Sequence, residues 1–248
     1  MMKVVFHEDF FRSYTMDPAA ATGRIEAVVK VVRDKVTFVQ AVPASDEDIA
    51  AVHTKSHIAE VTREGLYDIA ALAAGGAMQA AEIGLKEPSF GLIRPPGHHA
   101  SANSAWGFCF FSNMAIAVEK LQRERKIESA VVLDFDLHFG DGTVNILGGK
   151  DYVSILNPKA SDRGRYVDEI RKFLDSRQVD IIGISAGFDH HEDDWGGLLA
   201  TSDYKKIGRL VRDAAQKTKG GYFAILEGGY NHQVLGQNVM ALIEGMEA

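Results

Sequence analysis

Residues 130–143 read Ala-Val-Val-Leu-Asp-Phe-Asp-Leu-His-Phe-Gly-Asp-Gly-Thr, and three side chains in this run could do chemistry together. Asp134, Asp136 and His138 stand at alternate positions behind an apolar run, 131–133, of the kind that forms a strand buried on both faces of a parallel sheet. Side chains two apart on a strand share a face, so the spacing predicts that all three converge. Two carboxylates at the end of a dry strand repel one another and are poorly solvated. A bound cation is their most effective partner. One imidazole nitrogen with carboxylate oxygens suits zinc or a similar divalent ion. The plainer reading is a helix-capping Asp beside an idle His, and the additional buried charge of Asp134 argues against it.

Three further apolar runs end in unusual polar clusters. Run 90–93 leads into Arg94-Pro95-Pro96-Gly97-His98-His99-Ala100. The prolines keep a helix from starting there, and Gly97 permits a bend before two adjacent imidazoles, which titrate near neutrality and suit acid–base work. Each needs an orienting carboxylate, and Asp134 and Asp141 are available. Run 180–185 leads to Gly187-Phe188-Asp189-His190-His191. Asp189 is placed to be a third ligand, and three protein ligands leave open positions, as a catalytic metal site requires. His190 and His191 could also bind metal, but Glu192, Asp193 and Asp194 follow them, so both read as part of a solvated loop. Run 222–226 leads to Glu227-Gly228-Gly229-Tyr230-Asn231. The glycines allow close backbone approach, and the Tyr230 hydroxyl is a suitable donor to an oxyanion. In Trp106-Gly107-Phe108-Cys109-Phe110-Phe111, the last two rings read as core, while Gly107 and Phe108 could line an apolar entrance.

These clusters need a scaffold that brings strand ends together. Strand signals at 3–6, 37–39, 90–93, 130–134, 152–156, 180–185 and 222–226 alternate with helical patterns at 24–34, 46–52, 66–85, 113–123, 165–177, 204–217 and 233–245. Ser45 before Asp46-Glu47-Asp48 predicts an N-cap with acids in the first turn. Such alternation predicts an α/β fold, a mostly parallel central sheet flanked by helices, with ligands beyond the carboxyl ends of its strands. The 248 residues, 46% hydrophobic, carry no Pro-, Ser- or Gly-rich linker and no repeat, so one domain over 1–248 is expected. The net charge of −7 argues against a nucleic-acid partner. Cys109, the only cysteine, fits a reducing cytoplasm, and no stretch approaches membrane-spanning length.

Together the segments resemble the histone deacetylase and acetylpolyamine amidohydrolase superfamily. Arg-Pro-Pro-Gly-His-His-Ala, Gly-Phe-Cys, Asp-x-Asp-x-His-x-Gly-Asp-Gly-Thr, Gly-Phe-Asp and Glu-Gly-Gly-Tyr-Asn occur in that family's order over residues 94–231. The resemblance implies a three-layer arginase/deacetylase-type fold and zinc-dependent hydrolysis of N-acetyl amides, with iron(II) or cobalt(II) acceptable to the same ligands. It implies Asp136, His138 and Asp189 as metal ligands, and His98 and His99 as the catalytic pair bonded to Asp134 and Asp141. Tyr230 would bind the substrate oxygen, Gly107 and Phe108 would line the acyl tunnel, and Arg24 would lie near an inner acetate pocket. A monovalent cation, potassium or sodium, would sit among backbone groups of Asp134, Asp136, His138 and Ile155 and the side chains of Asp134 and Ser154. Substrates would be acetylated small amines or acetyl-lysine peptides, with no nucleic-acid or membrane partner; the oligomeric state is left open.

The sequence departs from the family at three places. Phe139 follows His138, where a second His is usual. The rim segment between Glu64 and Leu66 is nearly absent, and the segment after Leu156 is reduced to Asn157-Pro158-Lys159-Ala160. Both shortenings predict an open mouth with broad selectivity. An arginase-like hydrolase with two manganese ions is a competing reading, but Gly140 and His191 stand where that relative needs carboxylates. A non-catalytic acetyl-group binder would have no need of the tandem histidines.

Overall fold

The structure is a computed structural model that describes residues 1–247. Seven strands form one sheet: β1 (Lys3–Phe6), β2 (Thr37–Gln40), β3 (Ser89–Gly91), β4 (Ala130–Asp134), β5 (Val153–Leu156), β6 (Ile181–Ala186) and β7 (Gly221–Leu226). Their order is β2-β1-β3-β7-β6-β4-β5, and every pairing is parallel. The strands that carry the polar clusters, β3, β7, β6 and β4, are therefore contiguous in the middle of the sheet. β4 and β6 are buried along their whole length, which explains their unbroken apolar runs.

Helices connect the strands: α1 (Arg24–Val32), α2 (Asp46–Ala50), α3 (Lys55–Arg63), α4 (Tyr67–Gly84), α5 (Asn113–Arg123), α6 (Asp141–Leu147), α7 (Arg163–Asp175), α8 (Thr201–Thr218) and α9 (Leu235–Glu247). Ser45 Oγ accepts from the Asp48 N–H at 3.2 Å, which confirms the expected cap of α2. α4 is rich in Ala and Gly and lies buried against the sheet, where small side chains let helix and strands approach closely. No helix among the described residues is long and apolar enough to cross a membrane.

Three differences from the sequence reading have local causes. α3 and α6 were not expected. α3 is mostly polar, and its start depends on Thr54, whose Oγ1 accepts the His57 N–H at 3.4 Å. α6 begins within a glycine-rich run that reads as loop. The third difference concerns the candidate metal ligands. β4 ends at Asp134, so Asp136 and His138 do not alternate along a strand. Side-chain carboxylates capture the backbone instead. Asp134 Oδ1 accepts from the Asp136 N–H at 3.2 Å, and Asp136 Oδ1 accepts from the His138 N–H at 2.9 Å. Asp189 Oδ1 accepts from the Leu137 N–H at 3.1 Å. Such local bonds compete with the sheet ladder and curl the chain at its edge.

Candidate active site

Asp136, His138 and Asp189 come together beyond the ends of β4 and β6, with one ligand atom from each lying within 4.8 Å of the others. His138 Nδ1 sits between two carboxylates, 3.2 Å from Asp136 Oδ1 and 3.1 Å from Asp189 Oδ2. Both acids are buried. Asp189 Oδ2 receives no well-aligned hydrogen bond, leaving an anionic lone pair out of water. Buried anions stay charged only beside a cation or with strong hydrogen-bond donors. The electrostatics show the strain of that crowding. The flanking acids pull His138 up to about 10. Burial and the charge of Asp136 push Asp189 up to about 6. Burial also opposes ionisation of Asp136, yet His98 and the His138 and Gly228 hydrogen bonds outweigh it and hold Asp136 low. One imidazole nitrogen and two carboxylates form a donor set that fits zinc or a similar divalent ion.

The loop after β3 delivers two His–Asp pairs to this cluster. His98 Nδ1 lies 3.1 Å from Asp134 Oδ2, deep in the protein, and His98 Nε2 points toward Asp136 Oδ1 at 3.7 Å. His99 Nδ1 lies 2.7 Å from Asp141 Oδ1 at the start of α6. The two rings nearly touch, with centroids 4.0 Å apart, yet their environments differ. Burial disfavours the charged form of His98, but Asp136 and Asp134 overcome it and raise its pKa well above the usual value. Burial and the neighbouring His98 lower His99 to about 4. Two touching imidazoles are thus held in different charge states, His98 favouring the protonated form and His99 the neutral one.

Glu227 anchors this loop, and sequence reading assigned it no part in the site. Its Oε2 accepts the Gly97 N–H at 2.7 Å and the His98 N–H at 3.3 Å, and its Oε1 accepts the Ser185 hydroxyl at 3.1 Å. Gly228 follows, and its N–H donates to Asp136 Oδ2 at 2.9 Å. A side chain at Gly228 would run into Asp136 and Asp189, which is why the backbone can come this close only at a glycine. The turn then presents Tyr230. Burial and the charges of Asp136 and Asp189 hold its hydroxyl protonated, far above the ordinary phenol range. Arg24 is fully buried, with Nε donating to Gly229 O at 2.8 Å and Nη2 to Glu227 O at 2.6 Å. It braces the turn under Tyr230 through backbone carbonyls.

Gly107 and Phe108 both adopt left-handed backbone conformations, with φ of 57° and 67°. A bulky residue holds that conformation only where its surroundings compel it, and such strain clusters at functional sites. It turns Phe108 edge-on to Tyr230, with centroids 6.0 Å apart. Phe111 is core as expected, and Phe110 packs partly against it. The neighbouring Trp106 had no assigned role, yet its ring lies on His99. Beside this turn a cleft of about 380 Å³ is lined by Asp17, Glu60 and Glu64 together with Trp106 and Phe108. The short connection between α3 and α4 thus leaves Glu60 and Glu64 in a cleft beside this turn.

His190 and His191 are not a solvated loop. His191 is buried, its Nε2 lies 3.2 Å from Thr201 Oγ1, and its Nδ1 accepts the Asp193 N–H at 3.1 Å. His190 packs edge-on against Tyr166, with centroids 5.2 Å apart. Both are packing residues although Glu192 and Asp193 after them are exposed, because Asp194 turns back onto the protein: its Oδ2 accepts the N–H groups of Tyr230 and Asn231 at 2.8 and 2.7 Å. Among the residues named for a monovalent cation, Asp134 already has both oxygens engaged, by His98 and the Asp136 N–H. Ser154 and Ile155 lie half-buried on the outer strand β5, paired with Val131 and Val132.

Comparison with known proteins agrees with this geometry. A family model described as the histone deacetylase domain matches residues 18–166 and 163–246. A probable deacetylase of Methanothermobacter thermautotrophicus is 29% identical over 91% of this chain and 85% of its own. A histone deacetylase-like amidohydrolase of Pseudomonas aeruginosa is 30% identical over 82% of this chain and 68% of its own. The crystal structure of the HDA15 HD domain superposes with a TM-score of 0.84 at 22% identity, over 98% of this chain and 88% of that one, and shows the same fold. The chain belongs to the histone deacetylase domain family and is a hydrolytic deacetylase of the three-layer α/β type.

Proposed function

We propose that residues 1–248 form one catalytic domain, a zinc-dependent amidohydrolase that removes acetyl groups from amines bearing further positive charge. The observation that carries this reading is the pair of His–Asp dyads facing the Asp136–His138–Asp189 cluster. Those three residues would hold the ion, and iron(II) or cobalt(II) would suit the same donors. When bound, the ion supplies Lewis acidity to the amide carbonyl and the attacking water. His99 has Nδ1 committed to Asp141, so Nε2 is free to take the proton from water and pass it to the leaving nitrogen. His98, held against Asp134 and Asp136, supplies positive charge near the developing anion. The protonated Tyr230 hydroxyl donates to the carbonyl oxygen as negative charge grows there. Gly107 and Phe108 guide the acyl side.

The acids of the outer cleft support a cationic leaving group. Their attraction acts mainly at encounter and is screened by salt. The test is turnover by zinc-loaded protein of acetylputrescine, a short acetyl-lysine peptide that also carries free lysines, and a neutral N-acetylalkylamine at low and high salt. The cationic substrates are expected to have the higher kcat/KM, within about two orders of magnitude of each other, with an advantage over the neutral amide that shrinks in salt. Equal or better use of the neutral amide would reject the cationic preference. Absence of turnover with every acetylated amine would reject the activity.

A further inference from the structure

The two His–Asp dyads are protected by different means. His98 and Asp134 lie inside the protein, with side chains 4% and 0% exposed. His99 is equally hidden at 4%, yet its partner Asp141 is 41% exposed. A carboxylate so open to water is a weak orienting group, because solvent competes for its lone pairs and screens its charge. What covers the outer dyad is Trp106. Its ring lies over His99, with centroids 3.9 Å apart and 31° between planes. Its Nε1–H donates to Asp141 Oδ2 at 2.9 Å, while Oδ1 of the same carboxylate is 2.7 Å from His99 Nδ1. One side chain therefore touches both members of the dyad and occupies the second carboxylate oxygen.

The local sequence makes this placement possible. The Cys109 N–H donates to Trp106 O at 3.0 Å, closing a tight turn. Gly107 sits in the left-handed region at its centre, against the His99 ring, where any side chain would collide with the imidazole. Trp106 itself is 56% exposed, so its position over His99 is not a demand of core packing.

We propose that Trp106 is a positioning residue for the outer dyad: its N–H fixes the Asp141 carboxylate, and its ring holds the His99 imidazole and keeps bulk water from it. The consequence for turnover rests on the reading of His99 as the proton acceptor; the positioning itself does not. Asp141, though open to water, is bonded at both oxygens and so resists rotation, and His99 then presents Nε2 in one orientation.

The experiment compares wild type, Trp106→Phe and Trp106→Ala in the zinc-loaded enzyme. Proton NMR reads the low-field His99 Nδ1–H signal, assigned by its loss in His99→Ala. Metal content and thermal melting are measured alongside. The signal should be sharp in the wild type, weakened by faster solvent exchange in Trp106→Phe, which keeps a ring and loses the donor, and broadened away in Trp106→Ala. In Trp106→Ala, kcat should fall by about ten- to a hundredfold with zinc content and melting unchanged, and Phe should restore part of the loss. In an Asp141→Asn background the Trp106→Ala step should cost little, because the carboxylate it fixes is gone. A sharp Nδ1–H signal in Trp106→Ala overturns the proposal, as does a fully additive loss with Asp141→Asn. If the signal broadens as expected but no acetylated amine is turned over by the wild type, the positioning role stands and the assigned activity falls.

Discussion

The indole of Trp195 lies nearly parallel to the ring of Tyr230, with centroids 4.0 Å apart and 25° between planes. The preceding residue, Asp194, accepts the Tyr230 and Asn231 N–H groups, so the loop after β6 grips the loop after β7 through backbone and ring together. The Arg24 guanidinium lies 5.5 Å from the Tyr230 centroid. A hydroxyl that must meet a developing oxyanion gains from being held in place beforehand. Trp195→Ala is expected to lower kcat by about tenfold, and to have little further effect in Tyr230→Phe, where no hydroxyl is left to place. A four-member kinetic cycle checks this; full additivity would mean that Trp195 acts elsewhere.

Tyr230→Phe alone removes one donor and leaves Asp136, His138 and Asp189 untouched. The expected loss is about 10²–10³-fold in kcat, with unchanged zinc content and unchanged melting. A change in KM alone would assign Tyr230 to substrate positioning.

Asp189 turns a buried oxygen toward His138 Nδ1 at 3.1 Å without a well-aligned hydrogen bond, so its loss should weaken binding of an ion at the candidate site. Asp189→Ala is expected to reduce bound zinc well below one per chain after dialysis, measured by elemental analysis. The same measurement on His99→Ala should give full occupancy with turnover reduced by about 10²–10⁴-fold. Retained zinc in Asp189→Ala would remove that residue from the metal site.

Glu227 supplies a pH dependence with a definite sign. Burial, reinforced by Asp134 and Asp136, raises its pKa from 4.5 to about 7 in the folded protein. Between those values the native state keeps a proton that the unfolded chain releases, so this group's contribution is fully present below pH 4.5 and is lost as pH rises to about 7. Glu227→Gln keeps the acceptor for Gly97 and His98 and can donate to Ser185. Its unfolding free energy, from denaturant titrations of the metal-free protein at pH 5 and pH 7.5, should fall less across that interval than that of the wild type. Equal falls would show that Glu227 does not titrate there.

The inventory of reactive groups was legible in the sequence because it depends on local rules. Apolar β-branched runs marked buried strands, Pro and Gly marked the turns after them, and Asp, His and Tyr at those turns stood out as candidates for chemistry, although His190 and His191 proved to be packing residues. Ser45 as a cap and the exact span of β4 follow from the same short-range logic. The sequence also brought Asp136 and His138 together, but for the wrong reason: carboxylate-to-backbone bonds two residues apart curl the chain, and strand alternation plays no part. What only the tertiary structure decided lies across long separations. The order β3-β7-β6-β4 sets the loops from residues 94, 134, 187 and 227 side by side, although chain order runs otherwise. Trp106 reaches Asp141 across 35 residues, Asp194 reaches Tyr230 across 36, and Glu227 reaches Gly97 across 130. No periodicity or turn preference encodes such pairs. They exist because the parallel sheet fixes where each strand ends, and at that common edge a carboxylate or an indole finds its partner by packing.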